Sequence, residues 1–160
     1  MSKRIDDLIK ENSSPNGEII NLREKYLGLR GIMEVASNPV LKNVKELILQ
    51  GNQCADEGAE AIAQSPYLEN LESLNLNHNE IGDEGAIAIA NSDKLPKLTS
   101  LSMFGNVIGD VGAKAFAQSP ISKKYLKLDL FKNQYGNEGY KALTESENLK
   151  NCEELEVYRE

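Results

Sequence analysis

Asn52, Asn79, Asn106 and Asn133 stand 27 residues apart, and apolar residues keep the same interval around them. One column reads Ile20, Leu47, Leu74, Leu101, Leu128, Leu155; another reads Leu22, Leu49, Leu76, Met103, Leu130, Val157. A strict period of this length describes stacked supersecondary units, none of which buries its apolar face until a neighbour covers it. The chain therefore folds as one continuous solenoid or not at all.

Residues 71–98 give the unit. Leu74 and Leu76 alternate with Ser73, Asn75 and Asn77, the period of a half-buried strand. The asparagine column follows, where an amide side chain can bond backbone groups left unpaired as the strand turns away and bridge neighbouring coils. Cys54, Ile81, Ile108 and Tyr135 then plug the core. Asp56, Asp83, Asp110 and Asn137 precede stretches rich in Ala and Ile, the position of a helix N-cap acceptor. Two residues on comes glycine, at Gly31, Gly58, Gly85, Gly112 and Gly139, although glycine weakens a helix by about 1 kcal/mol relative to alanine. Its recurrence implies a backbone packed closely against the next coil. Val35, Ile62, Ile89, Phe116 and Leu143 are the large inward residues, and Pro39, Pro66 and Pro120 mark helix ends. Because helices are wider than strands, the stack curves. The expected architecture is a right-handed α/β solenoid with parallel strands on the concave face and helices on the convex face. Residues 19–160 form about five 27-residue repeats ending in a sixth strand, and residues 1–18 a capping helix (4–12) and a linker at 13–17.

A net charge of −7 opposes binding nucleic acid through its phosphates, and basic proteins are the better-matched partners. There is no secretory signal and no run of 18 apolar residues, so no membrane association is expected. The expected location is cytoplasmic, although a protein delivered into a host cell without a signal peptide would read the same. Cys54 and Cys152 lie about three repeats apart, beyond disulfide reach, and are expected to be reduced core thiols.

Two outward columns cross the inner rim: Asn21, Ile48, Asn75, Ser102, Asp129, Glu156, and Arg23, Gln50, Asn77, Phe104, Phe131, Tyr158. Three adjoining outward aromatics have the composition of a binding hot spot. Cross-strand stabilisation of the sheet, or a self-association contact, would use the same residues. Partner-binding candidates are Phe104, Phe131 and Tyr158 as anchors, with Asp129, Glu156, Asn77 and Gln50 around them. Asp129 and Glu156 on neighbouring strands, with Glu154 near, read as a solvated acidic patch, since nothing encloses them as an acid–base pair or metal site would require. His78 reads as a surface or hydrogen-bonding residue, the GDEG segments as helix starts without the lysine of a phosphate loop, and Lys123, Lys124 and Lys127 as a solvated turn. No catalytic residue, metal or cofactor is expected. Glu153, Glu154, Glu156 and Glu160 crowd the last strand, where charge discourages sheet extension; a monomer or a dimer through that edge is expected.

The run LxxLxLxxNxIGDEGAxAIA, as it stands from Leu71 to Ala90, resembles leucine-rich repeats of the ribonuclease-inhibitor-like class. Similar repeats occur in the Ran GTPase-activating protein, in immune receptors and in small bacterial proteins, some of them effectors. The resemblance implies a non-enzymatic module that binds a partner protein through the concave face and adjoining loops. A regulator of a small GTPase and a self-assembling scaffold are the alternatives.

Overall fold

The computed structural model describes residues 3–158. Six strands, β1 (Ile19–Asn21), β2 (Glu46–Ile48), β3 (Ser73–Asn75), β4 (Ser100–Ser102), β5 (Lys127–Asp129) and β6 (Glu154–Glu156), form one open sheet in chain order. Every pair is parallel and in register at the repeat interval: Ile20 faces Leu47, then Leu74, Leu101, Leu128 and Leu155. Helix α1 (Lys3–Glu11) precedes the sheet. Helices α2 (Gly28–Ala36), α3 (Ala55–Ala63), α4 (Asp83–Ala90), α5 (Asp110–Gln118) and α6 (Asn137–Thr144) alternate with the strands and pack side by side. Between these two layers runs a single core, from Ile5 to Leu149. The result is an α/β solenoid with its strands on the concave face.

At the N-terminal end α1 buries Ile5 and Ile9 on the first coil. Residues 13–17, expected to be a plain linker, do more than connect. Ser13 bridges Ile20 antiparallel, Ser14 N donates to Ile19 O and Asn21 N to Asn12 O, so the outer edge of β1 is covered. A bare strand edge is a template for association, and this segment closes one end.

The asparagine column ties each coil to the one before. Asn106 Oδ1 accepts from Asn79 N (2.9 Å) and Ile81 N (3.0 Å), while its Nδ2 donates to Leu76 O and Met103 O. Asn52, Asn79 and Asn133 likewise donate to the backbone of both their own and the preceding coil. A second ladder was not apparent from the sequence. The Ser65, Ser92 and Ser146 hydroxyls donate to Ala36 O, Ala63 O and Ala117 O, the C-terminal carbonyls of the preceding helices that no intrahelical donor reaches.

The aspartates do not cap their own helices. Helix α4 starts at Asp83 itself, with Gly82 as N-cap, and α5 starts at Asp110 with Gly109 as N-cap; neither has a side-chain cap from within its repeat. Each carboxylate reaches forward to the next repeat. Asp56 Oδ1 accepts from Gly82 N (2.7 Å) and Gly85 N (2.8 Å). Asp83 Oδ1 accepts from Gly109 N and Gly112 N, and Asp110 Oδ1 from Gly136 N and Gly139 N. The N–H of each N-cap glycine is already taken by the aspartate of the preceding repeat, Gly82 N by Asp56 and Gly109 N by Asp83. Stacking sets the next helix's positive N-terminus beside each carboxylate. This also corrects the reason for Gly85, Gly112 and Gly139, which are closed in by the preceding coil together with the plug residue of their own: a Cβ on Gly112 would lie 2.7 Å from Ile108 Cγ2, 2.8 Å from Asp83 Oδ1 and 2.9 Å from Ala86 Cβ.

In the first repeat Leu29 occupies the aspartate column, so α3 receives no such cap. The backbone responds. Ala55 takes φ +55° and donates its N–H to Asn79 O, as Gly28 with φ +61° donates to Asn52 O. Gly82, Gly109 and Gly136, served by a carboxylate from behind, are extended instead.

Both cysteines are free. Cys54 is in the core, and burial pushes its thiol up to about 12. Cys152, expected there too, is only half-buried, because no described coil packs on its far side.

Candidate protein-binding face

The register that aligns the leucines also aligns the outward residues. Phe104 and Phe131 are half-buried and nearly parallel, with ring centroids 6.0 Å apart and planes 12° from one another. Tyr158, 45% exposed, meets Phe131 edge to face at 5.2 Å. The row has a fourth ring. His78, read from sequence as a lone surface residue, sets its imidazole against Phe104 at 5.2 Å, edge to face.

The reason lies in a column of left-handed backbone: Glu24, Gly51, His78, Gly105 and Lys132, with φ between +53° and +69°. The His78 ring lies where a side chain on Gly105 would be, with Cε1 and Nδ1 2.5 Å from an ideal Cβ. Only glycine both accepts that backbone freely and leaves room for the ring. The alternation of glycine and large residues 27 apart was a visible signal for this contact. Lys132, the last described residue of the column, leans back, its ammonium 5.5 Å from the Phe104 centroid.

A polar row runs beside the rings. Asn77 Oδ1 accepts from Phe104 N (2.8 Å) and lies 2.7 Å from Ser102 Oγ; Asp129 Oδ2 lies 3.1 Å from the same hydroxyl, and Asp129 Oδ1 accepts from Phe131 N (3.0 Å). The single Ser102 proton thus serves two acceptors. These bonds fix the backbone under both phenylalanines. Tyr158 is held differently: Tyr135 OH accepts from Tyr158 N (3.0 Å) and donates to Leu130 O (3.1 Å). Tyr135 is the one aromatic of the plug column Cys54, Ile81, Ile108 and Tyr135, and burial raises its phenol pKa. It positions the last aromatic.

Asp129 faces Glu156 in register, and both remain outside any ion pair among the described residues. Glu154 differs, pairing with Lys127 at 2.6 Å. Gln50 is half-buried between Arg23 and Asn77 in the same outward column, away from the rings. Glu160 lies outside the described residues. Lys124, expected in a solvated turn, is partly buried instead, donating to Leu95 O at 2.6 Å and lying over the Tyr125 ring. Among the described residues no group of His, Cys, Asp and Glu is arranged to hold a metal ion, and no helix is long and apolar enough to cross a membrane.

Residues 40–63, 67–90 and 94–117 match the family model described as Leucine Rich repeat. Among solved structures the chain is similar to "Leiomodin-1 Actin-Binding Site 2 (ABS2)", at 21% identity and a TM-score of 0.68, over 92% of this chain and 87% of that one. No curated protein matches it. Three successive repeats thus match the leucine-rich-repeat model, and the chain has the fold of an α/β solenoid.

Proposed function

We propose that the protein is a non-enzymatic interaction module that binds a partner protein through the C-terminal half of its concave face. The observation that carries this reading is the contiguous outward row His78, Phe104, Phe131 and Tyr158, beside Asp129 and Glu156, which make no ion pair among the described residues. Clustered aromatics flanked by charge are the composition of interface hot spots. The similar solved structure named for an actin-binding site supports a protein as the class of partner. Six strands at about 4.8 Å, each showing about four residues of roughly 3.3 Å, give a rim of a few hundred Å². A standard interface takes roughly 800 Å² from each side. Loops 51–56, 78–83, 105–110 and 132–137 therefore join the contact. The excess of acidic residues suits a basic partner in the cytoplasm, of the host or of the source cell.

The test compares partner capture by wild type and by the triple variant F104A/F131A/Y158A, with circular dichroism to verify the fold. Loss of capture with the fold intact supports the reading, and undiminished capture overturns it. Strand β6, which has no partner on its far side among the described residues, supports a second reading, self-association through that edge, which light scattering separates: a strict monomer removes it.

A further inference from the structure

The aromatic row already holds a cation. Lys132 places its ammonium over the Phe104 ring and makes no ion pair with any described carboxylate. A cation over an aromatic face is attracted by the ring's negative quadrupole. Next to the rings, Asp129 and Glu156 face one another on adjacent strands, and among the described residues neither makes an ion pair. Like charges directly opposite on a sheet destabilise it. The donors that reach Asp129, Ser102 Oγ and Phe131 N, are neutral; they orient the carboxylate and leave its charge uncompensated. Among the described residues the patch therefore sets two carboxylates against one lysine ammonium, beside two nearly parallel phenylalanine rings.

We propose that this face receives an arginine of a partner protein, its guanidinium laid on the Phe104 and Phe131 rings and turned toward Asp129 and Glu156, and that Lys132 occupies this position in the free protein. The inference rests on the interaction-module reading above and names the chemistry of the partner. Arginine fits where lysine fits poorly. Its planar fork stacks on rings and meets carboxylates through several donors, whereas an ammonium is a strongly hydrated point charge. Lys132 is then a built-in competitor: it covers the aromatic face in the absence of partner and must leave when the arginine arrives, which weakens attachment of anything that lacks a positive charge.

The probe is the peptide acetyl-Gly-Arg-Gly-Arg-Gly-amide, with the same peptide carrying citrulline, a neutral planar isostere, for comparison. Both are titrated into the full chain while NMR follows the ring protons of Phe104, Phe131 and Tyr158 and all backbone amides. The expected result is that the arginine peptide shifts these rings and that the citrulline peptide binds about tenfold more weakly. E156Q, at an exposed side chain outside any ion pair among the described residues, weakens the arginine peptide several-fold without disturbing other amides. K132A strengthens it several-fold by uncovering Phe104. Equal binding of the two peptides, shifts confined to other surfaces, or a K132A variant that binds no more tightly overturns the proposal. Ring shifts that follow protein concentration without peptide also overturn it, since a second copy is then the occupant. The two readings fail separately. If the triple aromatic variant loses its partner while arginine and citrulline peptides bind alike, the interaction module stands and the arginine site falls; if the arginine peptide binds here and the triple variant keeps its partner, the module reading falls.

Discussion

Asp83 Oδ1 lies 2.7 Å from Gly112 N, so a residue of one repeat caps the helix of the next. One oxygen also accepts the Gly109 N–H at 2.8 Å, satisfying two of the donors that open α5. Asp83→Ala removes that acceptor and is expected to cost about 1–2 kcal/mol in urea denaturation, the range of a lost N-cap. Asp83→Asn, which keeps an oxygen there, costs less. Gly112→Ala is expected to destabilise despite the roughly 1 kcal/mol alanine gains in helix propensity, because its Cβ meets Ile108, Asp83 and Ala86 within 3 Å. Equal stability of G112A and wild type would refute the close approach.

Ala55 adopts a left-handed backbone that costs an L-residue about 1–2 kcal/mol. Glycine removes the strain and gives back roughly 0.4–1 kcal/mol through the freer unfolded chain. Ala55→Gly is therefore expected to stabilise by roughly 0.5–1 kcal/mol, read from the urea midpoint. Gly28→Ala, at the matching position, should move the midpoint the other way. A destabilised A55G would show that Ala55 is not strained.

The two thiols should separate cleanly. Cys54 is buried with its pKa raised to about 12, so the reactive thiolate is scarce and shielded. Cys152, half-buried in the last described coil, has a thiol pKa raised less severely by burial. Under native conditions iodoacetamide is expected to label Cys152, with Cys54 reacting only on unfolding. Mass spectrometry of timed samples checks this, and labelling of Cys54 at a rate matching Cys152 contradicts it.

Lys124 supplies a pH dependence. Burial lowers its amine to about 8 from the ordinary 10.5. Between those values the unfolded chain holds a proton that the folded chain has released, so raising the pH favours the fold. The stability difference between wild type and Lys124→Met should shift in favour of wild type as pH rises from 8 to 10.5. Measuring both proteins across that window removes the opposing contribution of Cys54, which both share. A difference independent of pH would show that Lys124 titrates as an exposed lysine.

The sequence alone determined the period, and with it the strand register, the inward leucine columns and the row into which Phe104, Phe131 and Tyr158 fall. Spacing along the chain becomes spacing across the sheet whenever units of equal length stack. Only the tertiary structure decided which coil each side chain serves. Asp56, Asp83 and Asp110 stand in helix-start positions by sequence, yet they cap the following helices, because neighbouring helices lie offset so that residue i meets i+26 and i+29. The same holds for His78 over Gly105, Tyr135 hooked to the Tyr158 backbone, and Lys132 above Phe104. Those contacts depend on how far a side chain leans toward the next coil, which a one-dimensional period does not encode.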